Sequence, residues 1–236
     1  MLSSSNIFKQ LRRSYFRGFT TSVPQRSYAD TIHALGVAPD ARVVVTGFTG
    51  KASTFHSEIA LKFGTNIVGG TSPTKGGTKY LGLPVFSALD EAVSELRPDV
   101  ALIFVPALAA TQAILEAIKA EVPLIVSVAE GIPAHDQMRI HQVLQSQSKS
   151  RLVGANCPGV AGRSGTLTYE ASFATSQVGL GQSFVFGLGG DLYPGTSTVE
   201  ALQYLLVDEH TNGKLPVENF GLQHAGEAKT LLVFSV

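Results

Sequence analysis

Residues 41–64 read ARVVVTGFTGKASTFHSEIALKFG, and the change of character along this stretch decides the fold. Val43, Val44 and Val45 form a β-branched run without alternation, the pattern of a parallel strand covered on both faces. Gly47 and Gly50 then bracket a tight turn, and Thr54 is placed to start a helix whose apolar residues Phe55, Ile59, Ala60 and Phe63 recur at helical spacing. A strand that ends in small residues and opens a helix leaves backbone N–H groups facing open space, which makes an anion site. The spacing is G-x-x-G-x-x-S and not the six-residue dinucleotide fingerprint, so the segment reads either as a Rossmann-like phosphate turn or as a plain strand-to-helix connection. Lys51 inside the turn favours a phosphate.

Downstream, the same alternation repeats. Asn66 to Gly70 is a second short strand, followed by the polar loop TSPTKGGT at Thr71 to Thr78. A helix from Asp90 to Leu96 is closed by Pro98, and Val100 to Val105 is again a continuous apolar strand. Ala109 to Ala120 reads as a helix with Ile114, Leu115 and Ile118 on its inner side, then Leu124 to Val128 as a strand, His135 to Gln145 as a helix and Arg151 to Val153 as a strand. With right-handed crossovers this βαβαβαβ series makes one doubly wound parallel sheet. Its polar loops at Thr49–Lys51, at Lys75 and at Glu130 all follow the C-terminal ends of strands, so they gather at the edge where open α/β sheets bind ligands. Lys75, followed by Gly76 and Gly77, is either a phosphate contact or an exposed loop lysine. An acidic residue ending the second strand would favour NAD, and Ile67-Val68-Gly69-Gly70 offers none.

The composition supports a real core and leaves room for two modest domains: 236 residues, 44% of them hydrophobic and 15% charged. Eighteen basic and 18 acidic side chains cancel, so no overall field draws the chain to nucleic acid or to an anionic membrane, and no apolar run reaches the roughly 18 residues of a membrane span. The single cysteine, Cys157, excludes an internal disulfide and a cysteine-cluster metal site and fits a reducing compartment. The charge is uneven, however. Lys9, Arg12, Arg13, Arg17 and Arg26 precede the first acid, Asp30, among serines and threonines, and Ile7, Phe8, Leu11, Tyr15 and Phe16 can share one helical face. Residues 1–28 therefore have the composition of a mitochondrial transit peptide, and a mitochondrial matrix location is expected; a basic tail for an acidic partner is the other reading.

Beyond Val153 the segment GANCPGVAGRSGTLTYEASF is too rich in glycine for a strand. Ser164 or Thr166 can cap a helix running to about Gln177, Ser183 to Leu188 is an apolar strand, and Ser197 to Val207 is a further amphipathic helix. A second domain begins here and looks incomplete, because a helix, a strand and a helix cannot cover both faces of a parallel sheet. Ser164, Gly165 and Thr166 either hold a phosphoryl group on free N–H groups or simply cap the helix. Cys157 is either a catalytic thiol or a packed cysteine without a neighbouring histidine. His56, His135 and His141 lack partners at metal spacing, and no metal site is expected.

The segments GFTGKASTFHSEIALKFGTNIVGGTSPTKGGTKYLGLPVF, AEGIP at Ala129 to Pro133, RLVGANCPG and RSGTLTYEA, taken together, resemble the α subunit of succinate–CoA ligase, a citric-acid-cycle enzyme of the mitochondrial matrix, over roughly Ala41 to Gly213 with one gap. The resemblance implies a Rossmann-like parallel-sheet domain at 30–158 that binds coenzyme A, an incomplete flavodoxin-like ligase domain at 159–213, and a divergent tail at 214–236. It implies that Thr49, Gly50, Lys51 and Ala52 form the phosphate turn, that Lys75 is the loop lysine, and that Val128, Ala129 and Glu130 form the third loop around the cofactor. Where the family usually carries Gln and Gly, this chain has Ala52 and Ser53, and a serine there narrows a turn that needs positive φ.

The resemblance further implies that Tyr169 lies near the shared active site, and that Ser164, Gly165 and Thr166 start a helix whose dipole stabilises a phosphohistidine. In the family's relay, succinyl-CoA and phosphate give succinyl phosphate, the phosphoryl group passes to an α-subunit histidine, and a β subunit holding nucleotide and magnesium receives it. Between Gly159 and Arg163 the family has a longer segment that includes a strand, whereas only Val160-Ala161-Gly162 stands here. The His224-Ala225-Gly226 triplet echoes the relay loop but follows Gln223 and precedes Glu227, so no catalytic residue is assigned. The expected role is an α-type subunit with a β partner, succinyl-CoA or succinate, and phosphate as its ligands. The alternative is a CoA-binding or regulatory subunit without the relay.

Overall fold

The computed structural model describes residues 27–156, 173–174, 177, 188, 190–207, 213–218 and 229–234. Its first part alternates strands and helices: β1 (Val43–Thr46), α1 (Lys51–Lys62), β2 (Ile67–Thr71), β3 (Lys79–Tyr80), β4 (Leu83–Phe86), α2 (Leu89–Leu96), β5 (Val100–Ile103), α3 (Ala107–Lys119), β6 (Leu124–Ser127), α4 (Ala134–Gln145) and β7 (Arg151–Val153). The seven strands form one sheet in the order β3-β4-β2-β1-β5-β6-β7, parallel at every pair except β3 with β4. The strand order turns around β1, which pairs with β2 on one side and β5 on the other.

All four residues of β1 are buried, as its unalternating valines require. Val44 packs with Ala101, Ile103, Ile114 and Ile125 under α3 and α4, whereas Val43 and Val45 face the other way onto Phe48, Ile67 and Leu35. Each such aliphatic side chain contributes about 1.5–3 kcal/mol by leaving water. Ile114 and Ile118 of α3 point inward as their spacing predicts. α2 ends at Leu96 with Arg97 in the left-handed region, directly before Pro98.

Helix α1 departs from its sequence reading. It begins at Lys51, with Gly50 as N-cap, three residues before Thr54. Its sheet-facing side carries Ser53 and Ser57, both buried, while Phe55, Ile59 and Phe63 stand exposed, Phe63 at 87%. Apolar spacing locates a helix but does not by itself choose the face that is buried. Ser53 therefore sits inside the first helical turn and is absent from the positive-φ residues, so the narrowing expected of a serine at a positive-φ turn position does not arise.

Two further elements escaped the periodicity. β3 and β4 form a hairpin across Leu81 and Gly82, at φ 50° and 80°, the backbone of a tight two-residue hairpin turn reached here without an Asn-Gly signal. A 3₁₀ helix spans Tyr28–Leu35, and Tyr28, which composition had assigned to the leader, is buried at 3% exposure. Among the described residues beyond Asn156, helix α5 (Thr198–Val207) packs against this 3₁₀ helix. Strands β8 (Gly213–Glu218) and β9 (Lys229–Phe234) pair antiparallel, with Gly213 opposite Phe234 and Glu218 opposite Lys229.

Candidate functional site

The turn after β1 is set by Gly47, at φ 72°, whose carbonyl accepts the Gly50 N–H at 2.9 Å. A Cβ at Gly47 would lie 2.9 Å from the Phe104 carbonyl oxygen, so the position needs glycine for space as well as for conformation. The turn delivers the chain into α1 with no side chain capping the helix and no acidic residue in its first turn. The first N–H groups of α1 therefore keep their partial positive charge free of a competing carboxylate. Ser53 adds a buried hydroxyl with no hydrogen-bond partner.

The second loop is bound to the first. Thr49 Oγ1 donates to Ser72 Oγ at 3.1 Å, Phe48 N–H donates to the Thr71 carbonyl at 3.0 Å, and the Thr54 and Tyr80 hydroxyls share a hydrogen bond of 2.9 Å. The Tyr80 ring meets Phe48 edge-on at 5.6 Å and carries the Lys75 ammonium 5.7 Å from its centroid. Thus Lys75 is exposed yet stands over a ring that is hydrogen-bonded to α1 through Thr54, and among the described residues it makes no ion pair. Ser72 and Tyr80 organise these two loops. The sequence reading singled out neither, because a serine and a tyrosine in a polar stretch carry no spacing signal.

The third loop, Val128 to Glu130, follows β6 on the other side of the point where the strand order turns. Val128 N–H donates to the Ile103 carbonyl at 3.3 Å, Ala129 is buried with its carbonyl accepting Asn156 N–H at 2.9 Å, and Glu130 is exposed. Burial, and after it the Glu130 charge, pushes the Asp191 carboxyl above its ordinary range. Tyr193 N–H donates to Gln137 of α4 at 3.4 Å. The three loops expected from strand ends accordingly lie on one edge of the sheet.

Residues 1–26, Cys157, Ser164, Gly165, Thr166, Tyr169 and His224 lie outside the described residues. Among the described residues no group of three histidines, cysteines, aspartates or glutamates is placed to hold a metal ion, and no helix is long and apolar enough to cross a membrane.

An uncapped, acid-free helix N-terminus beside a lysine without an ion pair fits an anionic phosphate group such as those of coenzyme A. The comparisons agree with that class: residues 39–131 match the CoA binding domain family and residues 162–232 match the CoA-ligase family. The chain is 40% identical over 211 residues to the α subunit 1 of an ADP-forming succinate–CoA ligase from Archaeoglobus fulgidus, covering 80% of this chain and 72% of that one. It is 35% identical over 211 residues to a mitochondrial α subunit, α-2, of the same enzyme from Trichomonas vaginalis, covering 79% of this chain and 68% of that one. The chain belongs to the succinate–CoA ligase α-subunit family. Its fold is shared with ATP citrate lyase from Methanothrix soehngenii, solved with citrate and coenzyme A, at a TM-score of 0.54 and 19% identity over 71% of this chain and 33% of that one.

Proposed function

We propose that the chain binds coenzyme A at the edge formed by its three loops and serves, with a β subunit, as the α-type subunit in the interconversion of succinyl-CoA and succinate. The observation that carries this reading is the uncapped, acid-free first turn of α1 together with Lys75, whose ammonium stands over the Tyr80 ring that is hydrogen-bonded to Thr54 of that helix. Coenzyme A supplies the thiol on which the acyl group is carried. The chain's own residues supply the grip. Backbone N–H groups at Lys51 and Ala52 would take a phosphate, Lys75 would add a charge-assisted hydrogen bond from the second loop, and Thr49 keeps those loops together through Ser72. Val128, Ala129 and Glu130 would bound the cofactor on the far side. Tyr169, Ser164, Gly165 and Thr166 are proposed for substrate and phosphate, and nucleotide with magnesium for the β subunit.

Titration calorimetry tests the reading. Coenzyme A should bind more tightly than NAD, and Lys75→Ala should weaken it roughly tenfold, about 1.4 kcal/mol, the scale of one hydrogen bond to a charged group. Tighter binding of NAD, or unchanged CoA affinity in the variant, would overturn it.

We further propose a mitochondrial matrix location, supported by the five basic and no acidic residues before Ser27 and by the kinship with a mitochondrial α subunit. Because Tyr28 is buried, removal of the leader should stop before Ser27. Mass spectrometry of protein purified from mitochondria reads this directly. A mature N-terminus at Ala29 or later, or an intact Met1, would count against it.

A further inference from the structure

Arg151, on the edge strand β7, is fully buried and is shared between two segments far from it in sequence, the opening 3₁₀ helix and α5. Its Nε donates to Thr31 Oγ1 at 3.0 Å, one terminal nitrogen to the Tyr28 carbonyl at 2.8 Å, and the other to Glu200 of α5 at 2.7 Å. The Tyr28 ring lies 4.1 Å from the guanidinium carbon, a stacking distance. Glu200 is tied at its other oxygen by the N–H and hydroxyl of Ser197, at 2.9 and 2.8 Å, so the same carboxylate caps α5 and neutralises Arg151.

The hydroxyl of Tyr28 makes a second set of links. It accepts Leu152 N–H at 3.2 Å and donates to the Gly195 carbonyl, while Gly195 N–H donates to the Gly154 carbonyl at 2.7 Å and Thr196 Oγ1 to the Leu152 carbonyl at 2.6 Å. Gly195 runs so close to β7 that a Cβ there would lie 2.5 Å from the Leu152 side chain. Two residues beyond Gly154, Asn156 N–H reaches the carbonyl of Ala129 in the third loop.

We propose that Tyr28, Arg151 and Glu200 form a latch by which the opening 3₁₀ helix holds α5 on the edge strand β7 and keeps the 154–156 segment on the third loop. No pair of these elements would hold without the third. Removal of the Tyr28 hydroxyl cuts the bridge from the Leu152 amide to the Gly195 carbonyl and leaves only the Gly195–Gly154 and Thr196–Leu152 bonds to hold that segment, and removal of the Glu200 charge leaves a buried guanidinium uncompensated while freeing the start of α5. The latch makes residues 27–31 the fastening of an element that begins some 170 residues later.

Hydrogen exchange on the full chain, without any ligand, tests it. In Tyr28→Phe and in Glu200→Gln the amides of 198–207 and of Asn156 should exchange at least tenfold faster, and by a larger factor than those of β1 and β5. Arg151→Lys, which retains charge but loses the fork, should give the same pattern. Unchanged exchange over 198–207 in the first two variants would overturn the latch, and so would an equal acceleration of β1 and β5, which would mean a general loss of stability instead of a local release.

Discussion

Arg151→Ala should lose about 3–5 kcal/mol of stability in urea titration, because removing one partner of a buried ion pair leaves the other groups desolvated and unpaired. Three acceptors lose the Arg151 donor at once: Thr31 Oγ1, the Tyr28 carbonyl, which keeps the Thr31 hydroxyl, and Glu200, which keeps Ser197. The pH dependence should change with it. In the wild type, burial pushes the Glu200 carboxyl up, but hydrogen bonds from Arg151 and from Ser197 outweigh burial and hold it below the usual carboxylate range. A group with a lowered folded pKa contributes stability above its unfolded pKa and loses it as pH falls through the folded value. Without Arg151 the burial is no longer outweighed to the same extent, so the folded pKa of Glu200 draws toward its unfolded value and the acid limb of the stability profile should become shallower. An acid limb of wild-type steepness in Arg151→Ala would refute this account.

The next largest effect is expected at Gly47. Alanine there must adopt φ 72° and bring a Cβ to 2.9 Å from the Phe104 carbonyl and 3.0 Å from Val105, so either the residue or β5's C-terminal end has to move. Left-handed strain of about 1–2 kcal/mol and the overlap together should cost about 2–3 kcal/mol in thermal unfolding. The turn also aims the start of α1, so CoA affinity should fall more than in Lys75→Ala. Wild-type affinity and stability in Gly47→Ala would mean that the turn does not position the site.

The sheet was legible because its strands are buried on both faces and therefore written as uninterrupted apolar runs: VVV in β1, VALI in β5 and LIV in β6 are unlike anything else nearby. The three loops followed from strand ends alone. The facing of α1 was not legible, since Phe55, Ile59 and Phe63 supply a helical period while the fully buried positions are serines, with Ala60 and Leu61 only partly covered against the core. The β3–β4 hairpin was hidden by Pro84 and by a turn that uses Leu81 where asparagine is usual. The latch was illegible for a different reason. Arg151 is one charge in a three-residue strand, and only the fold shows that its partners stand at residues 28, 31 and 200.

The way β7 is closed also bears on solubility. An outermost strand normally offers its free N–H and C=O groups to any passing chain, and proteins that leave such a strand open tend to add neighbours to it. Here the hydroxyl of Tyr28 takes the Leu152 amide and the hydroxyl of Thr196 takes the Leu152 carbonyl, so the rim is plugged by side chains in place of another strand. Such a plug gives a propagating sheet no template. Substituting phenylalanine for Tyr28 or valine for Thr196 would reopen that template, and the cost would be felt as concentration-dependent self-association during expression and storage even where each molecule is still folded.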